Sequence, residues 1–322
     1  MNKSKMMFSV VLIMSTMLTL SSNNWISMWM GLEMNMMAFM PLVINKNYYN
    51  SSVAAMSYFM VQSVSSLVLM FAMMIKNKHN LFNEVMMMSL LMKLGSAPFH
   101  MWVPEVMSKM SWMNCLILST WQKIAPLMML MNMNKNNMML TVVIMMSAII
   151  GAVGGMNQSS IRKIMGYSSI NHLSWMMMST STNSWVMYFM IYSIMMSLVC
   201  YMFNNYKIMF INQFNNMSMT NMEKMSLSVT MLSMGGLPPF LGFLPKWIVI
   251  QNMVEEENFM VMTVMIMMSL ITLMYYMRIT MKMSVMSAST QKWMVMNSST
   301  MMNISIIITN MSLPLMMIMN FK

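Results

Sequence analysis

The stretch Lys93-Leu-Gly-Ser-Ala-Pro-Phe-His-Met-Trp-Val-Pro-Glu105 carries a lysine within an apolar segment and then interrupts the segment with a glycine and two prolines. A proline inside a helix removes one backbone hydrogen bond and clashes with the turn before it, and lipid offers no water to replace the lost bond. The stretch therefore predicts a broken membrane helix whose interruption lies inside protein or lines a wet cavity.

A second stretch, Pro238-Pro-Phe-Leu-Gly-Phe-Leu-Pro-Lys246, has the same layout and aligns without a gap on residues 97–105. Both contain Pro-Phe and, further on, an aromatic residue, an aliphatic residue, proline and a charge. Two interrupted hydrophobic segments in corresponding halves of a chain are typical of inverted-repeat transporters. We therefore predict repeat halves over approximately 6–132 and 138–280, related by a pseudo-two-fold axis in the membrane plane, with both breaks at similar depth.

The composition is typical of a polytopic membrane protein, since 58% of the 322 residues are hydrophobic and only 8% are charged. Apolar runs of about 20 residues recur throughout and predict about eleven membrane helices in one all-α domain over 1–322. The net charge of +11 lies largely in short loops, so a nucleic-acid-binding face is not expected. The predicted spans are 6–21, 25–45, 53–75, 82–104 with the first break, 113–132, 138–156, 164–180, 184–206, 225–254 with the second break, 259–279 and 301–320.

Methionine is far more frequent than in ordinary membrane helices, with 68 residues. It occurs in every apolar segment and keeps to no single helical face, which argues against a Met-rich binding surface. Translation of an AT-rich message under a code that reads AUA as Met, as in animal mitochondria, explains this distribution better. The first residues lead directly into a span without an Arg-rich presequence. We therefore expect a multi-pass protein of the mitochondrial inner membrane, made where it resides.

Lysine and arginine in the connecting loops predict the orientation of the chain. With the predicted spans, eleven of them lie on the side of the N-terminus and four on the other side. The positive-inside rule then places the N-terminus in the matrix and the Glu255–Glu257 loop on the opposite side. Arg162 and Lys163 are read as a loop pair. The eleven are Lys3, Lys5, Lys46, Lys109, Arg162, Lys163, Lys207, Lys224, Arg278, Lys282 and Lys292; the four are Lys76, Lys78, Lys135 and Lys322.

Apart from the loop charges, four charged residues lie inside predicted spans rather than at their ends: Glu33, Lys93, Lys123 and Lys246. A lysine at the centre of a span costs about 2.5 to 3.5 kcal/mol on insertion scales, so three facing lipid would cost roughly 8 to 10 kcal/mol. That rivals a typical net stability of about 5 to 15 kcal/mol. One interpretation is structural: each side chain reaches a membrane interface or is neutralised by a structural partner. The other is functional: the charged groups bind and release protons. A buried Glu and Lys can exchange protons when their separation or hydration changes.

Three further residues are weaker candidates for proton transfer. His100 and Glu105 belong to the first break, and His172 lies within a predicted span. Histidine titrates in the useful range and can relay a proton, but a hydrogen-bonded structural role is the preferred interpretation for both histidines. Glu105 follows Pro104 and fits the first turn of a new helix, where a negative charge is favoured.

Five motifs follow one another along the chain: Gly31–Asn35, Lys93–Glu105, Trp121–Pro126, Gly166–His172 and Gly236–Trp247. In this order they closely resemble the antiporter-like membrane subunits of respiratory complex I, NADH:ubiquinone oxidoreductase, and within them the mitochondrial subunit 2 family of invertebrate type. The resemblance implies a proton-translocating subunit with eleven helices, shortened at the N-terminus. It also implies that Glu33 and Lys93 interact as a pair, that Lys123 is the central relay, and that Lys246 acts at the second broken helix.

The same resemblance implies that NADH, FMN, iron–sulfur clusters and ubiquinone are handled by other subunits. This chain has no GxGxxG after a strand, and Cys115 and Cys200 lie in apolar segments without a ligand set, so no cofactor or metal is expected in it. The expected partners are other membrane-arm subunits, including neighbouring antiporter-like ones, and membrane lipids. The alternatives are a stand-alone cation/proton antiporter of the same fold, which the absence of Asp disfavours, and a structural scaffold, which the lysines within spans disfavour.

Overall fold

The computed structural model describes residues 3–45, 50–74, 79–133, 138–182, 184–216, 219–285 and 300–314. In these ranges the chain is helical apart from turns, one short 3₁₀ helix at Ile211–Asn216 and an isolated antiparallel bridge between Ser160 and Phe210. The α-helices are α1 (Lys3–Ser21), α2 (Trp25–Val43), α3 (Ser51–Met74), α4 (His79–Leu94), α5 (Trp102–Lys109), α6 (Trp112–Ser119), α7 (Trp121–Met131), α8 (Met138–Met156), α9 (Ile161–Met178), α10 (Trp185–Tyr206), α11 (Asn221–Gly235), α12 (Phe243–Glu255), α13 (Phe259–Val285) and α14 (Thr300–Asn310).

Six of the described helices, α1, α2, α3, α8, α10 and α13, are long and apolar enough to cross a membrane. Helices satisfy their own backbone hydrogen bonds, which lipid requires of any spanning segment. The all-α polytopic fold predicted from the sequence is thus confirmed, whereas the number of eleven spans stays a prediction. The predicted last span, 301–320, extends beyond residue 314 and lies partly outside the described residues.

Both predicted breaks are present, and both begin with the same turn. The first break covers residues 95–101 and the second covers residues 236–242. Each opens on a glycine in the left-handed region, Gly95 with φ 70° and Gly236 with φ 78°. Two backbone hydrogen bonds then close the end of each helix in the pattern of a Schellman motif. They run from Gly95 N–H to Met92 O (3.2 Å), from Ser96 N–H to Leu91 O (3.1 Å), from Gly236 N–H to Ser233 O (2.9 Å) and from Leu237 N–H to Leu232 O (3.4 Å).

A third interruption, at Thr120, separates α6 from α7 where the sequence predicted one continuous span over 113–132. The Thr120 hydroxyl and the Thr120 N–H both donate to the carbonyl of Leu116, at 2.7 and 3.0 Å. The Lys123 N–H bonds to the Thr120 carbonyl at 3.0 Å, only three residues back. Pro126 in the next turn has no N–H and leaves the Gln122 carbonyl without its usual helical donor. The three-residue bond of Lys123 tightens the chain after Thr120 into a 3₁₀-type turn, and this turn interrupts the regular helix.

The chain divides into two compact units, Met1–Ser147 and Ala148–Lys322. In the first unit α2 packs against α1 and α3, and α3 packs against α4 and α5. In the second unit α11 packs against α10, α13 and α14, and α9 packs against α10, α12 and α13. Many large apolar side chains also remain exposed, as helices surrounded by lipid require. The inverted relation between repeat halves stays a prediction.

Helix α8 approaches α9 closely at Gly151. A Cβ atom there would lie 2.7 Å from the backbone nitrogen of Asn171, so any larger residue would force the two helices apart. At Gly155 a Cβ would lie 2.8 Å from the ring of Tyr275 on α13. The small residues at Gly151 and Gly155 therefore allow α8 to pack closely against α9 and α13.

Arg162 and Lys163 lie in the first turn of α9, not in a loop as the sequence suggested. The helix begins early because the segment before it pairs with a distant part of the chain. The Ile161 N–H donates to Met209 O at 2.9 Å, and the Ile211 N–H donates to Ser159 O at 3.1 Å. This tertiary pairing is not visible in local sequence.

Candidate functional site

The three lysines predicted inside spans are all buried, and each lies within about one turn of a helix interruption. Lys93, Lys123 and Lys246 expose only 5%, 3% and 5% of their surface. Lys93 lies in the last turn of α4, Lys123 in the first turn of α7 and Lys246 in the first turn of α12. Helix ends leave backbone carbonyls without helical donors, and such carbonyls can solvate an ammonium group.

Lys93 and Lys123 line one small cavity in the first unit, here called the lysine cavity. Its volume is about 20 Å³, enough for about one water molecule. The structure therefore brings together two of the four predicted relay residues around a common polar space. The polar residues that line it are Asn35, Tyr58, Gln62, Lys93, Gln122 and Lys123.

A hydrogen-bonded chain of neutral side chains forms part of the cavity wall. The Tyr58 hydroxyl donates to Oε1 of Gln122 at 3.2 Å, and Nε2 of Gln122 donates to Oδ1 of Asn35 at 3.0 Å. Gln62 donates from Nε2 to the backbone carbonyl of Lys93 at 3.1 Å. The sequence reasoning did not select these four residues. Asn35 and Gln122 nevertheless stood within two of the quoted motifs, and an amide in an apolar span needs hydrogen-bond partners.

Glu33 lies half-buried on α2, and its charge acts on both Lys93 and Tyr58. Its Oε1 atom is buried and has no hydrogen-bond partner among the described residues. The carboxylate therefore contributes to the electrostatics of the cavity through space. This arrangement agrees with an electrostatic interaction between Glu33 and Lys93.

Lys246 has a different environment, in the second unit. Its Nζ donates to the carbonyl of Gly235 at 2.7 Å and lies 5.9 Å from the ring centroid of Trp175. A cation is favoured at this place, because Gly235 is the last residue of α11 and the C-terminal end of a helix carries partial negative charge. A Cβ at Gly236 would lie 2.8 Å from the same Nζ, so the glycine also makes room for the lysine.

The weaker candidates are not part of the lysine cavity. His172 is buried in the second unit, where its Nδ1 lies 2.8 Å from the Tyr188 hydroxyl and its ring centroid lies 4.9 Å from that of Tyr192. His100 is half-buried, with Nδ1 3.1 Å from Pro98 O. Glu105 is exposed in the first turn of α5, where a carboxylate is favoured.

No metal site is apparent in the described ranges, where His, Cys, Asp and Glu side chains do not gather in threes. Cys115 is buried and its Sγ donates to Met107 O at 3.4 Å, and Cys200 is buried as well. The site is therefore built from lysines, a carboxylate and neutral polar groups. Such groups can bind and transfer protons.

A family model described as "NADH:quinone oxidoreductase/Mrp antiporter, TM" matches residues 22–78 and 73–272. "NADH-ubiquinone oxidoreductase chain 2" of Anopheles gambiae is 44% identical to this chain over 305 residues, covering 90% of this chain and 89% of that protein. The protein of the same name in Locusta migratoria is 42% identical over 305 residues, covering 91% of this chain and 89% of its own length.

Two solved structures share the fold. A chain of respiratory complex I from Thermus thermophilus superposes with a TM-score of 0.83 at 18% identity, covering 95% of this chain and 76% of that one. A chain of the Mrp complex from Dietzia sp. superposes with a TM-score of 0.76 at 13% identity, covering 84% of this chain and 59% of that one. At these identities the likeness concerns the fold alone.

Proposed function

Because this chain belongs to the NADH-ubiquinone oxidoreductase chain 2 family, we propose that its buried charged residues translocate protons across the inner mitochondrial membrane. It is a multi-pass membrane-arm subunit of the proton-translocating NADH:ubiquinone reductase. Electron transfer from NADH to ubiquinone takes place in other subunits, which carry the FMN and the iron–sulfur clusters. Its partners are the other membrane-arm subunits.

The placement of the lysines is the observation that carries this proposal. Lys93 and Lys123 line the same polar cavity, which has room for about one water. Glu33 acts electrostatically on Lys93, so a change in its charge or position alters how readily Lys93 holds a proton. In this proposal Glu33 and Lys93 form the input pair, Lys123 is the central relay, and Lys246 continues the path at the second break.

The histidines and Glu105 take secondary roles in the proposal. His172 is hydrogen-bonded to Tyr188, and such a bonded imidazole either relays a proton or holds the tyrosine in place. His100 and Glu105, at the accessible part of the first break, are proposed as groups that exchange protons with their surroundings. His100 and Glu105 rank below the lysines because they are not buried.

A stand-alone cation/proton antiporter is the second candidate function, supported by the shared fold with a chain of an Mrp complex. The chain has no Asp among its seven acidic residues, and cation exchange would need carboxylate oxygens as ligands. The 44% identity to a chain 2 protein favours the respiratory function. Purification of the native assembly distinguishes the two, because a respiratory subunit co-migrates with NADH dehydrogenase activity.

We further propose that the N-terminus lies in the matrix and that the Glu255–Glu257 loop faces the intermembrane space. The excess of lysine and arginine on one side of the predicted spans supports this orientation. Protease added to intact mitoplasts should cut the Glu255–Glu257 loop, as followed with an antibody to a nearby segment. Cutting only after the inner membrane is permeabilised would show that the chain has the opposite orientation.

The decisive experiment replaces Lys123. Lys123→Met should assemble but lower proton transport per NADH oxidised in reconstituted vesicles, normalised to assembled complex on a native gel. Lys123→Arg keeps the charge but should also be defective, because a guanidinium does not release its proton readily. A purely structural lysine would instead show its defect in assembly. Normal pumping by Lys123→Met would remove Lys123 from the relay.

A further inference from the structure

The lysine cavity has a wall made of neutral polar groups from three helices. Asn35 on α2, Tyr58 on α3 and Gln122 on α7 form the hydrogen-bonded chain described above, and Asn35 and Tyr58 each expose only 2% of their surface. None of the three titrates near neutral pH in its ordinary state. They therefore shape the space between Lys93 and Lys123 without themselves storing a proton.

Gln122 is the central member of the chain, and its two bonds determine the orientation of its amide. Its oxygen accepts from Tyr58 and its NH₂ group donates to Asn35, so exchanging the two ends of the amide would place two oxygens against each other at Asn35. The partners lie on two different helices, which ties the first turn of α7 to α2 and α3. Lys123 is the next residue in that turn, so the bonds of Gln122 also constrain the backbone position of Lys123.

Tyr58 is itself held in place by packing. Its ring centroid lies 5.1 Å from that of Phe39 in an edge-to-face arrangement and 6.0 Å from that of Trp102. An aromatic ring fixed on two sides gives its hydroxyl a defined position. The hydroxyl hydrogen points to Gln122, so Tyr58 orients the amide and does not donate into the cavity.

We propose that Gln122, oriented by Tyr58 and Asn35, is a positioning residue for proton transfer between Lys93 and Lys123. This inference rests on the proposed function. A proton leaves the ammonium of one lysine for a water in the cavity, and that water passes a proton to the neutral amine of the other lysine. One positive charge moves and no proton is lost. Such a transfer depends on short, aligned donor and acceptor pairs, which the fixed amide maintains.

The test uses the assembled complex with Gln122→Met, which keeps the length of the side chain and removes its hydrogen bonds. Coupled turnover per assembled complex should fall about tenfold, below the roughly 100-fold that a misplacement of about 1 Å can cost. The solvent deuterium isotope effect on turnover should rise, because proton transfer becomes limiting. A role in stability alone would lower the yield of complex and leave both quantities unchanged.

Asn114→Leu is the matched control. Asn114 is a buried amide of the same unit that donates to Leu42 O at 2.9 Å and does not line the lysine cavity. Its loss should reduce assembly without changing the isotope effect. Normal turnover by Gln122→Met where Lys123→Met is defective would overturn the role of Gln122 and leave the proposed function standing. Normal turnover by both variants would overturn both.

Tyr58→Phe provides a second route, since it removes one hydroxyl and keeps the ring. It should slow turnover less than Gln122→Met does, and it should add nothing in the Gln122→Met background, because Tyr58 acts through Gln122. If Gln122→Met does not assemble, Tyr58→Phe alone decides. An unchanged rate and isotope effect in Tyr58→Phe would overturn the inference, and so would additive effects of the two substitutions.

Discussion

The two broken helices share one backbone turn but place their lysine on opposite sides of it. In the first break Lys93 precedes the turn and lies in a cavity lined by other side chains, whereas the position after the turn is the exposed Glu105. In the second break that later position is Lys246, which reaches back to the carbonyl of Gly235. Lys93 thus has side-chain neighbours, which can adopt other conformations. Lys246 has a backbone partner, whose position is fixed by the turn.

Removing each lysine in turn should produce the largest difference between the breaks. Lys93→Met leaves the buried Oε1 of Glu33 without an opposite charge nearby, and an uncompensated charge costs more than an unsatisfied neutral group. Lys246→Met leaves only the Gly235 carbonyl unsatisfied, at about 1 to 3 kcal/mol. Native gels and thermal melts of the complex should therefore show a greater loss for Lys93→Met. Glu33→Gln added to Lys93→Met should restore assembly, and equal losses without such rescue would contradict the comparison.

Alanine at the two turn glycines should separate stability from transport. Both positions have positive φ, which costs a residue with a Cβ about 1 to 2 kcal/mol. At Gly95 the new Cβ also meets Val103 and Trp102, adding about 1 to 3 kcal/mol of overpacking. At Gly236 it meets the flexible end of Lys246, which can move.

Gly95→Ala should accordingly reduce the amount of complex, as measured on native gels. Gly236→Ala should reduce it less but lower proton transport per assembled complex, because it displaces Lys246 from Gly235. Ala148→Gly, a substitution elsewhere in a described helix, serves as a control for altered helix propensity. Identical behaviour of the two glycine variants would show that the second break does not depend on the position of its lysine.

Both breaks could be predicted from the sequence, because proline and glycine act on the backbone locally. The buried lysines could be predicted as well, since any charge within a long apolar span stands out. The interruption at Thr120 could not, because a threonine that bonds to the preceding turn usually leaves a helix intact. The partners of Gln122 could not be predicted either, since they lie on helices distant in the chain.

Trp175 gives a smaller test of the second break. The Nζ atom of Lys246 lies 5.9 Å from the centroid of its ring, and such a contact contributes about 0.5 to 2 kcal/mol, depending on how fully it is desolvated. Trp175→Phe should therefore destabilise the wild-type complex slightly more than a Lys246→Met complex, by about that amount in a double-mutant cycle of thermal stability. Trp185→Phe, at another buried tryptophan of the same unit, should show no such coupling. A coupling energy for Trp175 no larger than that for Trp185 would show that the Trp175 ring does not interact with Lys246.

The smallest effect is expected from placing a lysine in the first break at the position that Lys246 occupies in the second. Glu105→Lys places a lysine at the position that corresponds to Lys246, but Val103 and Trp102 occupy the space over Gly95 that the lysine fills at Gly236. The new side chain should stay exposed. Assembly should not change, and Tm should fall only slightly, because the carboxylate in the first turn of α5 contributes about 0.3 to 1 kcal/mol. Glu105→Gln should lower Tm by no more than Glu105→Lys does. A stabilised Glu105→Lys complex would show that the two turns are interchangeable after all.

The bond from Lys246 to Gly235 has one further consequence. A carbonyl oxygen accepts a hydrogen bond from a neutral amine as well as from an ammonium group, so the lysine can keep this partner whether or not it carries the extra proton. A carboxylate partner would lose most of its attraction as soon as the lysine became neutral. In the proposed relay, the second break would therefore keep its lysine in one place through a full cycle of charge, and the reorganisation energy of each proton transfer at Lys246 would stay small.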